Sequence, residues 1–367
     1  MPIVVNSNPT ATAASLNLSR ANDALRKSLA RLSSGNRIVS PADDAGGLAV
    51  GYKLDSRLKR VEAVRNNVQN GLSYLQLQDG ALSSIGDILS RMSELRTMAQ
   101  DVTKNTSDVE NYTKEFLELQ KQLGQIYREK FNGVSIFAKS TASAVLNPPD
   151  LRPQLSKDNN NGSVKFSRIL YTHDSGQAVD GNVSIGVTNL QYVLDVENLD
   201  SRYIDPSTYE AIKDVNTGRA DLSYAGIDSI LNVGNLDNMN STAVAEFSTH
   251  SSLSDTEITD AVSEIYTSDG FLKSIMFISV GQFTEMIQKL ADARAENGAE
   301  QSRLTQAESL LSQNMTNLEA ARGRIMDADV AMESTRFARQ NVLVQASASM
   351  VAQANQLTQV ALTLIGG

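Results

Sequence analysis

Residues 340–367 read QNVLVQASASMVAQANQLTQVALTLIGG, without a single charged side chain. Apolar or small groups recur at Leu343, Ala346, Met350, Leu357, Val360 and Leu364, with Gln353 filling the gap, in steps that alternate between three and four. A repeat of about 3.5 residues gathers side chains into one seam that must be buried against another helix. At about 1.5 Å per residue the segment would make a helix of about 40 Å. Gln345, Gln353, Asn355, Gln356 and Gln359 interrupt it too often for a membrane span, which needs about 18 consecutive apolar residues. Its other faces carry Gln, Asn, Ser and Ala where a solvated helix would carry Lys and Glu. Two readings follow: a helix packed among many copies of itself, or the buried C-terminal helix of a globular domain.

The opposite end of the chain carries the same repeat. After Asn8-Pro9, the positions Ala14, Leu18, Ala21, Leu25, Ser28 and Leu32 again step by four and three, while Arg20, Arg26, Lys27 and Arg31 lie off the seam. Gly35, after Ser33-Ser34, is the residue expected at a left-handed helix end. In Ser40-Pro41-Ala42-Asp43-Asp44 the expected roles are Ser40 as N-cap and Pro41 in the first turn of a second helix. Capping accounts for the paired aspartates without a metal, since no His or Glu cluster lies near them. A long amphipathic helix is predicted from Ala49 to about Val102 and a shorter one from Val109 to Lys130. Phe131-Asn132-Gly133-Val134 predicts a hairpin with a two-residue turn. From near Phe271 to about Arg324 a long helical pattern returns, interrupted by Gly298, before the final seam.

The layout is mirrored, so the two halves can pair only if the chain doubles back. The predicted fold is mainly α: a long antiparallel helical hairpin, a coiled-coil rod made by both chain ends. Inserted into it are the hairpin and a small mixed α+β middle domain, with strands expected at Val164 to Leu170 and Val183 to Val196 and helical patches at Pro206 to Asp214 and Asp255 to Ile265. Charge follows this layout. Residues 141–270 hold 19 acidic and 7 basic side chains, net -12, and the rest of the chain sums to +3. The total of -9 argues against nucleic acid or an anionic membrane as partner. There is no Cys, hence no disulfide or thiolate metal site, and the N-terminus shows no cleavable secretion signal. His173 and His250 stand in polar surroundings without metal-ligand or catalytic spacing, and HExxH, G-x-S-x-G and P-loop motifs are missing.

Several motifs, in order, resemble the bacterial flagellins. They are Asn22-Asp23-Ala24-Leu25 through Arg31-Leu32-Ser33-Ser34-Gly35, then Ser40-Pro41-Ala42-Asp43-Asp44-Ala45-Gly46-Gly47-Leu48-Ala49, then Phe131-Asn132-Gly133. Ala320-Ala321-Arg322-Gly323-Arg324-Ile325, Asp327-Ala328-Asp329, Gln345-Ala346 and Ala352-Gln353-Ala354-Asn355-Gln356 follow, and the likeness covers about residues 1–137 and 283–367. The resemblance implies that residues 1–42 and 325–367 are paired terminal helices lining a filament core, that 43–137 and 279–324 form a surrounding helical tube, and that 138–278 is an outward-facing variable domain. It implies a secreted structural subunit, with no enzymatic activity and no cofactor, that polymerises into the flagellar filament used for swimming. The partners so implied are other copies of the chain, the flagellar type III export apparatus, an export chaperone and the filament cap. The expected self-assembly seam is Leu18, Leu25, Leu32, Leu343, Met350, Leu357, Val360 and Leu364. Arg91, Glu94 and Leu95 match the segment read by the flagellin-sensing Toll-like receptor of animals, whereas Ser93, Arg96 and Thr97 depart from it. Two alternatives share such ends: a hook-filament junction protein, and a filament subunit that displays a binding domain.

Overall fold

The computed structural model describes residues 8–138, 151–154, 165–177, 181–194, 196, 202, 265–267 and 271–366. Within these, α1 spans Pro9–Ser34, α2 Ala45–Ala99 and α3 Thr106–Tyr127. The strands β1 (Lys130–Phe131), β2 (Val134–Ser135), β3 (Leu151–Gln154), β4 (Lys165–Tyr171) and β5 (Asn182–Val187) follow, then a short α4 (Leu190–Val193). A 3-10 turn at Ile275–Phe277 leads into α5 (Val280–Met326) and α6 (Val330–Gly366). The chain divides into two compact units, Met1–Ala63 with Leu310–Gly367, and Val64–Ser309.

In the first unit, α1 and α6 lie antiparallel. Ser28 hydrogen-bonds Glu333 near one end of the pair, and Asn8 Nδ2 donates to the Ala354 carbonyl near the other. Asn8 also caps α1, its side chain accepting from the Ala11 amide with Pro9 just inside the helix. Gly35 ends α1 at φ +69, donating its amide to the Arg31 carbonyl. That left-handed turn sends the chain beside the α5–α6 connector, where Arg37 N donates to Met326 O, Ala328 N donates to Gly35 O, and Asn36 bridges Asp327. The second helix does not start at Ser40. Residues 40–43 close a turn through Asp43 N and Ser40 O, and Asp44 is the cap, its carboxylate accepting from Gly47 N at 2.8 Å and its carbonyl from Leu48 N. Asp43 is thereby free to face α1, where Lys27 Nζ reaches it at 2.6 Å.

The second unit is built on a heptad. In α2 the buried positions Val68, Leu75, Leu82, Leu89 and Arg96 recur every seven residues, interleaved with Gly71, Gln78, Ile85, Met92 and Ala99. Phe116 and Leu123 of α3 and Phe283, Met286, Leu290 and Leu304 of α5 are buried as well. Asn105 caps α3 in a reciprocal box with Asp108. Neither Gly80 and Gly86 in α2 nor Gly298 in α5 breaks its helix. The Asn-Gly hairpin forms as expected, with Asn132 at φ 49 and Gly133 at φ 79 joining β1 to antiparallel β2.

Strands β3, β4 and β5 form one antiparallel sheet in that order. The strand predicted as Val183 to Val196 stops at Val187, and the chain turns into α4. This sheet is built onto the helices: a Cβ on Gly71 would meet Leu170 and Ile185, and Glu300 accepts from Gly186 N at 2.7 Å. Arg168 lies over the Tyr74 ring, 5.7 Å from its centroid. A buried polar hub joins the pieces. Asn297 Nδ2 donates to Gln78 Oε1 at 2.8 Å and to Leu75 O, while Gln78 Nε2 donates to Ile136 O and Thr188 Oγ1. Gln282 Nε2 donates to Val196 O, and Gln120 exchanges two hydrogen bonds with the Leu272 main chain. The helical patches expected at 206–214 and 255–265 lie outside the described residues, except Ile265, which is buried.

Candidate assembly surface

The antiparallel pair brings together the two chain ends that carried the unexplained seams. On α1 the line Ala14, Leu18, Ala21, Leu25, Ser28 and Leu32 is the less exposed face, with Ala21 and Ser28 fully buried and Leu18, Leu25 and Leu32 partly so. On α6 the protected line is Glu333, Phe337, Gln340, Val344, Ser347, Val351 and Ala354. This line lies one residue beyond the predicted one. Leu343 is 42% exposed and Met350 63%, so these two face away from α1. Leu357, Val360 and Leu364 continue in the backbone of α6, but their side chains lie outside the described residues.

Two interleaved stripes of apolar and small residues run along α6, and period alone does not rank them. Their upstream continuations do: the Leu343 stripe runs back into Arg339 and Arg336, whereas the Val344 stripe runs back into Phe337, the only aromatic residue of α6. Two arginines directly upstream on the one side, and an aromatic ahead of the single Glu333 on the other, mark which stripe meets α1.

Pairing with α1 leaves apolar area uncovered on both helices. Val342 is 64% exposed, with Val330 and Met332 also exposed on α6 and Leu16 and Leu29 on α1. Between Gln340 and the end of the helix no charge interrupts this surface. Such a face, apolar and uncharged yet rich in Gln and Asn, suits packing against protein better than sustained contact with water. At the base of the pair sits a charged cluster. Glu333 accepts from Ser28 Oγ at 2.7 Å and lies 3.2 Å from Arg336 Nη1 and 3.9 Å from Arg31 Nη1. Hydrogen bonding to Lys27 holds the Asp43 carboxyl below its ordinary range, outweighing the opposing effect of desolvation.

The other sequence-nominated residues fall in the second unit. Leu95 is wholly buried in the α2 heptad and presents no side chain to a partner. Arg91 and Glu94 are exposed, and Arg91 donates from Nε to Glu115 at 2.7 Å and from Nη1 to Glu94 at 3.1 Å. Sequence reasoning missed Arg96, which is 1% exposed and occupies a heptad core position, its Nε donating to Ile278 O at 2.6 Å. Its place every seventh residue after Leu82 and Leu89 was the available signal. His173 pairs with the neighbouring Ser175 and Asp174, and His250 lies outside the described residues. Among the described residues no group of three or more metal-ligating side chains converges, and no helix is long and apolar enough to cross a membrane.

A mainly α protein whose two chain ends pair as long antiparallel helices, with an apolar, uncharged face left over, defines a class of helical proteins with self-associating ends. Comparison with known sequences gives the family. The model for the bacterial flagellin N-terminal helical region matches residues 5–142, and that for the bacterial flagellin C-terminal helical region matches residues 280–365. The chain belongs to the bacterial flagellins. It is similar over its whole length to polar flagellin F of Vibrio parahaemolyticus (28% identical over 393 residues, each chain fully covered). Flagellin A of Vibrio anguillarum (26%) and flagellin A of Vibrio cholerae (27%) are likewise matched over the full length of both chains. Relatives named as flagellins along their entire length do not favour a hook-filament junction protein.

Proposed function

We propose that this chain is the structural, non-catalytic subunit of a flagellar filament, and that the leftover face of the α1–α6 pair is where copies meet. The observation that carries the reading is the charge-free stretch from Gln340 onward, in which Val342, Leu343 and Met350 remain exposed after α6 has paired with α1. Completing the burial of each half-exposed side chain contributes about 1 kcal/mol. Repeated along a lattice of like contacts, that outweighs the entropy lost on immobilising each subunit. In this reading the terminal pairs surround the filament axis, the helices of residues 43–137 and 279–324 form the tube around them, and the acidic middle segment of net charge -12 stays hydrated outside. A chain without Cys suits passage unfolded through the flagellar export apparatus with a chaperone, and addition beneath a cap. Arg91 and Glu94, exposed on α2, are the residues available to the flagellin-sensing Toll-like receptor, and Leu95 contributes only to their support.

Removal of residues 340–367 tests the assignment. The truncated chain is expected to retain the Val64–Ser309 unit, judged by its helical circular dichroism and cooperative melting, and to form no filaments by electron microscopy. Filaments of normal length from the truncated chain would refute the assembly surface.

A further inference from the structure

The seam between α1 and α6 contains one buried carboxylate. Glu333 is 4% exposed, and the groups facing it come from both helices: Ser28 and Arg31 from α1, Arg336 from α6. Arg31 also reaches Asp43 of the connector, at 4.0 Å, so three parts of the chain meet at this cluster.

Beyond Phe337 and Gln340 the seam is monotonous. Val344, Ser347 and Val351 on α6 run along Leu18, Ala14 and Ala11 on α1, with Ala354 beside Asn8, and most of these side chains are small or aliphatic and change little from one heptad to the next. A slide of α6 by seven residues would exchange Val344 with Val351 and Ser347 with Ala354, near equals in size, and would carry Phe337 from the level of Leu25 to that of Leu18 or Leu32, again a leucine, so side-chain burial distinguishes the registers weakly. The hydrogen bond at the far end does not choose either, since Asn8 donates to the main-chain carbonyl of Ala354 and every residue offers such an acceptor. A slip would, however, take Glu333 away from both Ser28 and Arg31, in one direction setting it against Ala21 with only Arg336 of its own helix left to it, and a buried carboxylate stripped of partners is poorly tolerated.

We infer that Glu333, seated on Ser28 and Arg31, fixes the register in which α6 docks on α1. A buried polar group that sets helix alignment at some cost in stability is an attested use of such residues. The alignment matters for the exposed face as well. A slip of seven residues would move Val342, Leu343 and Met350 by about 10 Å relative to the exposed Leu16 and Leu29 of α1, and so redraw the apolar surface that the two helices present together.

The chain has no Cys, so introduced pairs report register directly. With Ser28 opposite Glu333 and Asn8 beside Ala354, the observed register places Ala14 near Ser347. Oxidative cross-linking of the full chain is therefore compared for A14C/S347C, which reports this register, and for A21C/S347C and A14C/Q340C, which report slips of one heptad either way. The parent background is expected to cross-link the first pair alone. In Glu333→Leu the slipped pairs are expected to rise at least tenfold while helix content is retained; in Glu333→Gln, which still accepts from Ser28, the first pair stays dominant. If Glu333→Leu melts the helix pair, Ser28→Ala is read with the same cysteines and is expected to give slipped products. Slipped pairs in the parent, or the first pair alone in both Glu333→Leu and Ser28→Ala, would overturn the inference. The readout needs no filament, so its failure is distinct from failure of the assembly assignment.

Discussion

Asn297 offers a sharp test of how the second unit is held together. It is 4% exposed on α5 and donates both to Gln78 Oε1, at 2.8 Å, and to Leu75 O, at 3.2 Å. Replacing it with alanine leaves Leu75 O with its helical hydrogen bond, and Gln301, part-buried, can turn toward water. Gln78 Oε1 has no such recourse, because Gln78 is itself buried with its amide nitrogen committed to Ile136 O and Thr188. The expected cost is that of one stranded buried acceptor plus the lost side-chain packing, about 2 kcal/mol. For a unit of this size that lowers the midpoint by about 4–8 °C. Asn297→Asp should cost more at neutral pH, since it sets a carboxylate against the carbonyl oxygen of Gln78 inside the core, and part of the loss should return in acid once the new group protonates and can donate. The assay is thermal unfolding of the soluble full chain followed by helical circular dichroism at neutral and acidic pH. An Asn297→Ala midpoint within about 1 °C of the parent, corresponding to about 0.5 kcal/mol or less, would refute the view of this hub as a buried anchor.

Three further outcomes follow from the same geometry. The Asp43 carboxyl titrates lower in the folded chain than in the unfolded one, so its contribution is present above the unfolded value and fades as pH falls through the folded one; Asp43→Asn should therefore melt lower than the parent at neutral pH, and the gap should close on acidification below about pH 4. Asn105→Ala removes one side of the α3 capping box and should cost about 1 kcal/mol in unfolding experiments, with Asn105→Ser nearly neutral. Met350→Glu places a charge on the exposed face of α6 without touching the α1 seam, so sedimentation should show polymer lost while the melting of the soluble chain stays unchanged; polymer at parental levels would count against that face.

The fold was legible where a period of 3.5 met clear punctuation. Gly35 ended α1, Asn132-Gly133 made the hairpin, and the heptad of α2 could be followed through its glycines. Legibility failed where two answers satisfied one local rule. Ser40-Pro41 and Asp44 are both acceptable helix starts, and the choice of Asp44 depended on Asp43 finding Lys27 across the turn, a tertiary contact. The exposed and paired stripes of α6 share one period, and their ranking rested on residues a turn upstream of the uncharged stretch. Val183 to Val196 reads as strand, yet β5 ends at Val187 and α4 begins at Leu190, past Thr188, whose carbonyl accepts from Ala138 N. The buried Asn297 was unreadable for a related reason, and the heptad place of Arg96 signalled burial but not its purpose: a polar residue in a core position is intelligible only once its partner, here Gln78 or Ile278 O, is in place.

The two glutamines that grip main-chain atoms at Val196 and Leu272 have a consequence for how this chain tolerates change. Gln282 holds the Val196 carbonyl ahead of the long intervening stretch, and Gln120 holds both main-chain groups of Leu272 after it. Where main-chain groups on both sides of a stretch are held by helix side chains, a change of its length is absorbed between the clamps and does not pull on the helices. The clamps thus act as an insulator: the helices on either side are held whatever the length of chain between Val196 and Leu272.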